Sequence, residues 1–156
     1  MIIVEFEPAH QAAVRALILC GLADHWGEVD PSLNSDLDDI AASYATGRTL
    51  VALADAAVVG TGTVMPRPNG DAEIVRMSVA SSQRRTGLGR RIVAELIETA
   101  RAWGATRVVL ETTTAWTGVV AFYESCGFTV THHEDGSFGR DTWFALSIAE
   151  PSTGRR

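Results

Sequence analysis

The segment Arg84–Gly89 combines arginines with two glycines and joins an expected strand to an expected helix. Backbone N–H groups in the first turn of a helix have no acceptor within the helix, and the helix dipole is positive there, so such a turn attracts anions. The positive charges of arginines are unfavourable near the positive end of the helix dipole, and a bound polyphosphate would neutralise this repulsion. Gly87 and Gly89 let a ligand approach the backbone closely. We name residues 84–89 the phosphate cradle; a solvated arginine-rich turn is the alternative interpretation.

Two other phosphate-binding patterns fit the chain less well. The P-loop pattern requires a lysine, and all 13 basic residues of this chain are arginines. The dinucleotide pattern finds Gly87 and Gly89 at a helix start and Glu111 22 residues after Gly89. Its third glycine position is Ile92, however, and the preceding strand belongs to an antiparallel meander. A dinucleotide-binding protein therefore stays the less favoured alternative.

A second cluster of chemistry-bearing residues is acidic. The net charge of the 156 residues is -6, and no basic residue lies between Arg15 and Arg48. The six acids of that stretch are Asp24, Glu28, Asp30, Asp36, Asp38 and Asp39. Elsewhere 13 acids balance the 13 arginines, so this stretch holds the charge excess. A pI near 5.1 argues against binding to a nucleic-acid backbone.

Length and composition predict one globular domain over residues 1–150, followed by a frayed tail at 151–156. No membrane span or signal peptide is evident, so we expect a cytoplasmic protein that does not associate with membranes. Cys20 and Cys126 show no metal-site spacing and are expected to be reduced, buried thiols. We expect no bound metal.

Hydrophobic periodicity predicts the element order βααβββαβαββ. The expected strands are Ile2–Phe6, Thr49–Ala54, Val58–Met65, Ala72–Ala80, Arg107–Thr113, Phe128–His133 and Thr142–Ile148. The first expected helix begins at Pro8, and the second begins at Asn34 or Ser35 and ends at Gly47. The third spans Gly87–Trp103 and the fourth spans Thr117–Ser125. Trp103 and Trp143 are expected in the core or at an interface, and His132 and His133 on opposite faces of a strand.

With these elements in place, the chain resembles the GCN5-related N-acetyltransferase (GNAT) superfamily over residues 49–148. The family signature R/Q-x-x-G-x-G/A is matched by Arg84, Gly87 and Gly89. Ala72–Val79 resembles the fourth strand of the family, Val109–Thr112 its fifth strand, and Ala121–Phe128 its late A-x-x-[FL]-Y-E-x-x-G-[FY] segment. The resemblance implies an α/β (α+β) fold with a mixed, mostly antiparallel sheet of about seven strands and four flanking helices.

The resemblance also implies acetyl-CoA as cosubstrate, with its pyrophosphate on the N–H groups of residues 85–89. Pantetheine is expected along β-strand residues Met77 to Val79, with the Val79 N–H near the thioester carbonyl as an oxyanion donor. The implied cosubstrate-binding residues are Met77, Ser78, Val79, Arg84, Arg85, Thr86, Gly87, Leu88 and Gly89.

For the chemistry, Tyr123 resembles the general acid that protonates the CoA sulfur, and Glu73 matches the catalytic glutamate of the histone acetyltransferase branch. Packing is the alternative for Tyr123, and an ion pair with an arginine such as Arg76 is the alternative for Glu73. Glu111, His25 or a water chain could also take the proton. Trp116 stands where many relatives have asparagine, so no binding role is assigned to it.

The acceptor is expected to be a primary amine, either a small molecule or a peptide N-terminus, that attacks directly in a ternary complex. In the family, the segment between the first two helices forms a wall of the acceptor site. Asp24, His25, Trp26, Glu28 and Asp30 occupy it here and would favour a cationic amine. Asp36, Asp38 and Asp39 are expected to favour the start of the second helix. A non-catalytic acyl-CoA-binding module is the alternative, and a homodimer is left open.

Overall fold

The computed structural model describes residues 1–149, and the predicted frayed tail at 151–156 lies outside them. The strands are β1 Ile2–Glu5, β2 Arg48–Ala54, β3 Ala57–Pro66, β4 Asp71–Val79, β5 Arg107–Thr113, β6 Thr129–Gly136 and β7 Gly139–Ser147. The α-helices are α1 Gln11–Trp26, α2 Ile40–Ser43, α3 Leu88–Ala102 and α4 Thr117–Ser125. Short 3₁₀ helices cover Pro8–His10, Pro31–Asp38 and Ser81–Gln83. The predicted order of strands and α-helices is confirmed.

The seven strands form one sheet in the order β1-β2-β3-β4-β5-β7-β6. β1–β2, β2–β3, β5–β7 and β6–β7 pair antiparallel, whereas β4 and β5 pair parallel, with Asp71 opposite Arg107 and Glu73 opposite Val109. The mixed α/β architecture predicted from the sequence is therefore confirmed.

The described chain divides into two compact units, the first comprising residues 1–65 and 74–96. Its core joins Val14 and Ile18 of α1 to Leu37, Ile40 and Val51, all at most 5% exposed. Val14 and Ile18 are one helical turn apart and share the buried face of α1. Cys20 lies off that face and is exposed, so the prediction of a buried thiol is wrong at this position; Cys126 is half-buried.

The second unit comprises residues 66–73 and those from 97 onward. Alternate residues of β5, Val108, Leu110 and Thr112, are buried. Phe144 of β7 lies directly opposite Leu110 and is fully buried. Trp103 follows the last residue of α3 and is 42% exposed, so it is not a core residue. The prediction of a single domain over residues 1–150 stays a prediction.

The second helix differs most from its prediction. Pro31 starts a 3₁₀ segment that is broken at Asn34, where φ is -128° and ψ is 42°. The α-helix begins only at Ile40, with Asp39 as its N-cap accepting a hydrogen bond from the Ala42 N–H at 3.1 Å. Asn34 cannot cap this helix because its side chain donates to the Asp30 carbonyl and accepts from Arg76.

Candidate functional site

The phosphate cradle has an unusual backbone. Arg85 has a φ of 63° and Gly87 a φ of 89°, both in the left-handed region. Chain segments that include such residues can turn successive N–H groups toward one concavity, which suits an anion. The Arg91 N–H donates to the Gly87 carbonyl at 3.0 Å, and the N–H groups that precede it in this first turn of α3 have no acceptor within the helix. Arg85, Thr86 and Gly87 are exposed, whereas Leu88 is buried and anchors the loop.

The Arg84 side chain is partly exposed but also makes polar contacts within the protein. Its Nη2 lies 3.0 Å from Oδ2 of Asp24, and its Nε donates to the Val79 carbonyl at 3.4 Å. Asp24, which the sequence assigned to the acceptor wall, is thus an ion-pair partner of the cradle. Both side chains are 47% exposed, so the pair contributes only about 0–1 kcal/mol to stability.

β4 continues toward the cradle through Met77, Ser78 and Val79. Ser78 donates to the Leu17 carbonyl of α1 at 3.4 Å, and the Met77 sulfur packs against Gly62 of β3, where a Cβ would lie 2.4 Å from it. Gly62 therefore permits a close approach of Met77 to β3 that any side chain would block. These contacts fix the strand that the family resemblance assigns to pantetheine.

Arg76 lies within β4 and has a φ of 55°, in the left-handed region. Its guanidinium binds Asp36 through two nitrogens, Nε to Oδ2 at 2.9 Å and Nη2 to Oδ1 at 2.6 Å. Asn34 Oδ1 accepts a further bond from Nη2 at 3.1 Å, and the Tyr44 hydroxyl donates to Asp36 Oδ2. The prediction that Asp36 serves the helix start is therefore wrong, as is the pairing of Arg76 with Glu73.

The energetics of this network favour the strained conformation. A left-handed residue other than glycine costs about 1–2 kcal/mol, whereas a hydrogen bond to a charged group contributes about 1.5–3 kcal/mol. Partial burial acts to raise the pKa of Asp36, but the hydrogen bonds from Arg76 and Tyr44 lower it overall. The two side chains of the ion pair are only 23% and 29% exposed, so solvent screens it incompletely.

Tyr123 lies on α4 and is 6% exposed. Its ring packs against Phe122, Phe128 and Phe144, with centroid distances of 5.1 to 6.0 Å. Within residues 1–149, no group forms a hydrogen bond with its hydroxyl. Burial, and secondarily the nearby Cys126, raises the pKa of Tyr123 well above its usual range, so the hydroxyl carries its proton at neutral pH.

Glu73 is paired with an arginine, but with Arg67 instead of Arg76. Arg67 Nη2 lies 2.8 Å from Glu73 Oε1, and the glutamate side chain is 15% exposed. The strand turn between β3 and β4 brings the two residues together, which their spacing in the sequence does not indicate.

Glu111 lies on the face of β5 opposite to the buried residues Val108, Leu110 and Thr112. Although its side chain is exposed, partial desolvation raises the pKa of its carboxyl, and the nearby Asp141, Glu73 and Glu134 raise it further. A carboxyl with a raised pKa is a better proton acceptor at neutral pH than an ordinary glutamate.

Trp143 of β7 stands directly opposite both Glu111 of β5 and His132 of β6. The His132 and Trp143 rings are stacked at 5.9 Å with 7° between their planes. Trp143 Nε1 is buried and has no hydrogen-bond partner among residues 1–149. His132 and Trp143 border a cavity of about 530 Å³ that is also lined by the charged residues Arg67, Asp71, Glu73, Arg107 and Glu134. Sequence reasoning missed this aromatic pair because the register of β6 on β7 contains a bulge between Val130 and His132.

The predicted acceptor segment lies at the end of α1 and in the loop that follows. His25 and Trp26 are the last residues of α1, and Trp26 is 45% exposed. Asp30 caps the 3₁₀ helix by accepting from the Ser32 N–H at 2.9 Å, and hydrogen bonding from Ser32 lowers the pKa of Asp30. Within the described part of the chain, Glu28 has no ion-pair or hydrogen-bond partner for its side chain. Asp24 and Asp30 thus have partners within the protein that the sequence did not indicate, whereas their assignment to the acceptor site stays a prediction.

A family model described as acetyltransferase (GNAT) family matches residues 13–128, which include the cradle, β4, β5 and Tyr123. The chain belongs to the GNAT acetyltransferase family. Two mammalian relatives support this: N-acetyltransferase 8F1 of Rattus norvegicus is 36% identical over 68% of this chain and 52% of the rat protein. N-acetyltransferase 8 of Homo sapiens is 31% identical over 68% of this chain and 51% of the human protein. The chain thus spans about half the length of these relatives.

Solved structures show the same GNAT fold. A GNAT acetyltransferase from Staphylococcus aureus Mu50 superposes with a TM-score of 0.84 at 17% identity, over 94% of this chain and 98% of the other. An aminoglycoside 6'-N-acetyltransferase complexed with coenzyme A gives a TM-score of 0.76 at 19% identity, over 97% and 100% of the two chains. Across residues 1–149, no helix of this GNAT protein has the length and apolar character that a membrane span requires.

Proposed function

We propose that this GNAT protein transfers the acetyl group of acetyl-CoA to a primary amine by direct attack in a ternary complex. The observation that carries the proposal is the cradle: Arg85 and Gly87 have positive φ, and exposed arginines surround N–H groups that lack helical acceptors. This donor set suits a pyrophosphate, because it combines backbone N–H groups with the positive charge of nearby arginines. The backbone of residues 85–89 would hold the pyrophosphate, and that of Met77 to Val79 the pantetheine.

Acetyl-CoA, when bound, supplies a thioester carbonyl that an amine can attack. The Val79 N–H is the proposed donor to the oxygen of that carbonyl, where negative charge develops. Tyr123 is the proposed general acid: its hydroxyl carries a proton at neutral pH and would give it to the departing thiolate. Its assignment to the reaction comes from the late motif of the family.

An alkyl ammonium group, with a pKa near ~10.4, must lose a proton before it can attack. Glu73 and Glu111 are the candidate proton acceptors. Glu73 is bound by Arg67, whereas the Glu111 carboxylate accepts no hydrogen bond from any residue in the described range. The environment of Glu111 therefore supports it as the base, with Glu73 in an electrostatic role.

The acceptor is proposed to be a cationic small-molecule amine or a peptide N-terminus. Two regions of the chain carry negative charge that could attract it: the segment at residues 24–30, and the carboxylates of Glu111, Glu134 and Asp141. In the first region Asp24 and Asp30 have partners within the protein, so Glu28 is the acid that we propose to contact an acceptor. Trp26 is 45% exposed and offers an aromatic face to the same cation.

The test has a binding arm and a turnover arm. In the binding arm, acetyl-CoA at about 100 times its Kd should raise the free energy of unfolding by about 2.7 kcal/mol, whereas NAD should not. In the turnover arm, thiol release from acetyl-CoA is followed with spermidine, lysine, glutamate and an alanine-initiated tripeptide as acceptors.

Three results would contradict parts of the proposal in distinguishable ways. Stabilisation by NAD but not by acetyl-CoA would favour the dinucleotide-binding alternative. Stabilisation by acetyl-CoA without thiol release above the rate without amine would favour the non-catalytic acyl-CoA-binding module. Release that shows a burst of one equivalent of thiol before any amine is added would contradict direct attack in a ternary complex.

A further inference from the structure

The side chains around Arg76 form a compact network that the reaction outlined above does not use. Asp36 accepts from two nitrogens of Arg76 and from the Tyr44 hydroxyl, and Asn34 accepts from the same guanidinium. We name Asn34, Asp36, Tyr44 and Arg76 the β4 clamp. Three of its members come from the segment between α1 and β2, and only Arg76 belongs to β4.

The clamp holds a backbone conformation that Arg76 would not adopt readily by itself. Its φ of 55° lies in the left-handed region, where a Cβ collides with the backbone of its own residue. Because extended backbone is the relaxed alternative, loss of the clamp would let residue 76 relax and turn the peptide groups that follow it. Those groups belong to Met77, Ser78 and Val79.

The direction of these groups matters to a reaction that depends on a fixed amide donor. An oxyanion donor is effective only when its N–H is oriented before the charge develops, and an error of about 1 Å can cost about 10²-fold in rate. Only two residues separate Arg76 from Val79, so a change in φ at residue 76 is passed on within the same strand. The cradle at residues 84–89 is further along the chain and has its own contacts, including the Thr86 hydroxyl bond to the Gln83 carbonyl at 2.6 Å.

We propose that Asp36 is a positioning residue for acetyl transfer: through Arg76, it keeps β4 in the strained conformation that orients the Val79 N–H toward the thioester carbonyl. The inference rests on the proposed function, since it assumes that this N–H serves the reaction. It also gives Asn34, Asp36 and Tyr44 a role in turnover without contact to either substrate. Tyr44 supports Asp36, and the clamp acts on catalysis more than on acetyl-CoA affinity.

Glycine offers a direct test, because it adopts positive φ without a Cβ penalty. Arg76→Ala removes the clamp but keeps a Cβ that disfavours positive φ, so residue 76 should relax. Arg76→Gly removes both the clamp and the Cβ, so positive φ is no longer disfavoured. We expect kcat to fall about tenfold or more in Arg76→Ala but less than about threefold in Arg76→Gly, with the Kd for acetyl-CoA changed less than about twofold in both. Asp36→Asn should lower kcat about tenfold in the native background and should have no effect in the Arg76→Gly background.

Controls separate positioning from loss of folded protein. Rates are measured well below the melting temperature of the least stable variant and are divided by the stoichiometry of bound acetyl-CoA. Glu5→Gln breaks another ion pair of the same unit, with Arg48 at 3.0 Å, and should leave kcat unchanged. Hydrolysis of acetyl-CoA by water is measured in parallel with acetyl transfer to the best amine, because hydrolysis needs the same carbonyl polarisation but no acceptor site.

Equal losses of kcat in Arg76→Ala and Arg76→Gly would overturn the inference, as would an Asp36→Asn effect that persists in the Arg76→Gly background. Normal kcat in all clamp variants, with an active native protein, would overturn it while leaving the proposed function intact. A native protein that binds no acetyl-CoA would overturn both.

Discussion

Arg67 holds Glu73 with two nitrogens: Nη2 lies 2.8 Å and Nε 2.9 Å from the same carboxylate oxygen, Oε1. The glutamate that the family resemblance assigns as proton acceptor therefore already has a cationic partner. Glu111 is exposed, has a raised pKa and accepts no hydrogen bond from residues 1–149. These two environments lead to different expectations for two otherwise similar substitutions.

Glu111→Gln should lower kcat/KM about 10²-fold at neutral pH, whereas Glu73→Gln should lower it less than about tenfold. The reason is that the base must accept a proton from the amine, and a carboxyl with a raised pKa does so better. In the native protein the rate should rise with pH as Glu111 ionises, with a midpoint above the ordinary glutamate value of 4.5. A pH profile of kcat/KM checks this; an unchanged acidic limb in Glu111→Gln would show that another group titrates.

The same carboxyl should affect stability. Because the folded state raises the pKa of Glu111, folded protein binds this proton more tightly than unfolded protein. The free energy of unfolding should therefore fall as pH rises from the ordinary glutamate value through the raised one, and Glu111→Gln should reduce that slope. Urea unfolding at several pH values measures it, and a steeper slope in the variant would contradict the assignment.

Gly87→Ala should abolish stabilisation by acetyl-CoA without unfolding the protein. Gly87 has a φ of 89° and no heavy atom within 4 Å of a built Cβ, so alanine meets no neighbour but disfavours the cradle backbone. Gly104→Ala is the matched control, since Gly104 has a φ of 80° and equally open surroundings at the end of α3. Both variants should lose about 1 kcal/mol of stability, but only Gly87→Ala should lose the ligand shift in melting temperature. If acetyl-CoA shifts the melting temperature equally in the two variants, the cradle does not belong to the acetyl-CoA site.

Tyr123→Phe should lower kcat about 10²-fold or more while leaving acetyl-CoA affinity nearly unchanged. The variant keeps the ring contacts with Phe122, Phe128 and Phe144 and removes only the hydroxyl. No hydrogen bond within the described residues is lost, so the melting temperature should stay close to that of the native protein. Full activity in the variant would make Tyr123 a packing residue.

A cationic acceptor should have a higher kcat/KM than an anionic one, and the difference should shrink as salt shortens the Debye length, which is about 10 Å at 0.1 M. Glu28→Gln should reduce this preference, because Glu28 is the acid of the acceptor segment with no side-chain partner among residues 1–149. Asp55→Asn removes the same charge from an exposed turn and serves as the control. Preference for glutamate over lysine, or a loss as large in Asp55→Asn, would contradict the prediction.

The element order and the family were readable from the sequence because each depends on residues close together in the chain, and the cradle is predicted from residues that are equally local. β5 and α4 begin and end where the pattern predicts, at Arg107–Thr113 and Thr117–Ser125, since strand alternation and helix periodicity are local. Gly104 has a φ of 80° just beyond α3, as expected for the residue that ends a helix.

Only the tertiary structure decided which charges meet. Arg76 binds Asp36, 40 residues away, and Arg84 binds Asp24, 60 residues away. Neither partner follows from sequence spacing, because a long arginine can reach any carboxylate that folding brings near it. Asp24 and Asp30, which the sequence assigned to the acceptor site, are a cradle partner and a cap, and Asp36, which it assigned to the start of the second helix, belongs to the β4 clamp. The packing of α1, the following loop and β4 sets the distances of these acids from the arginines.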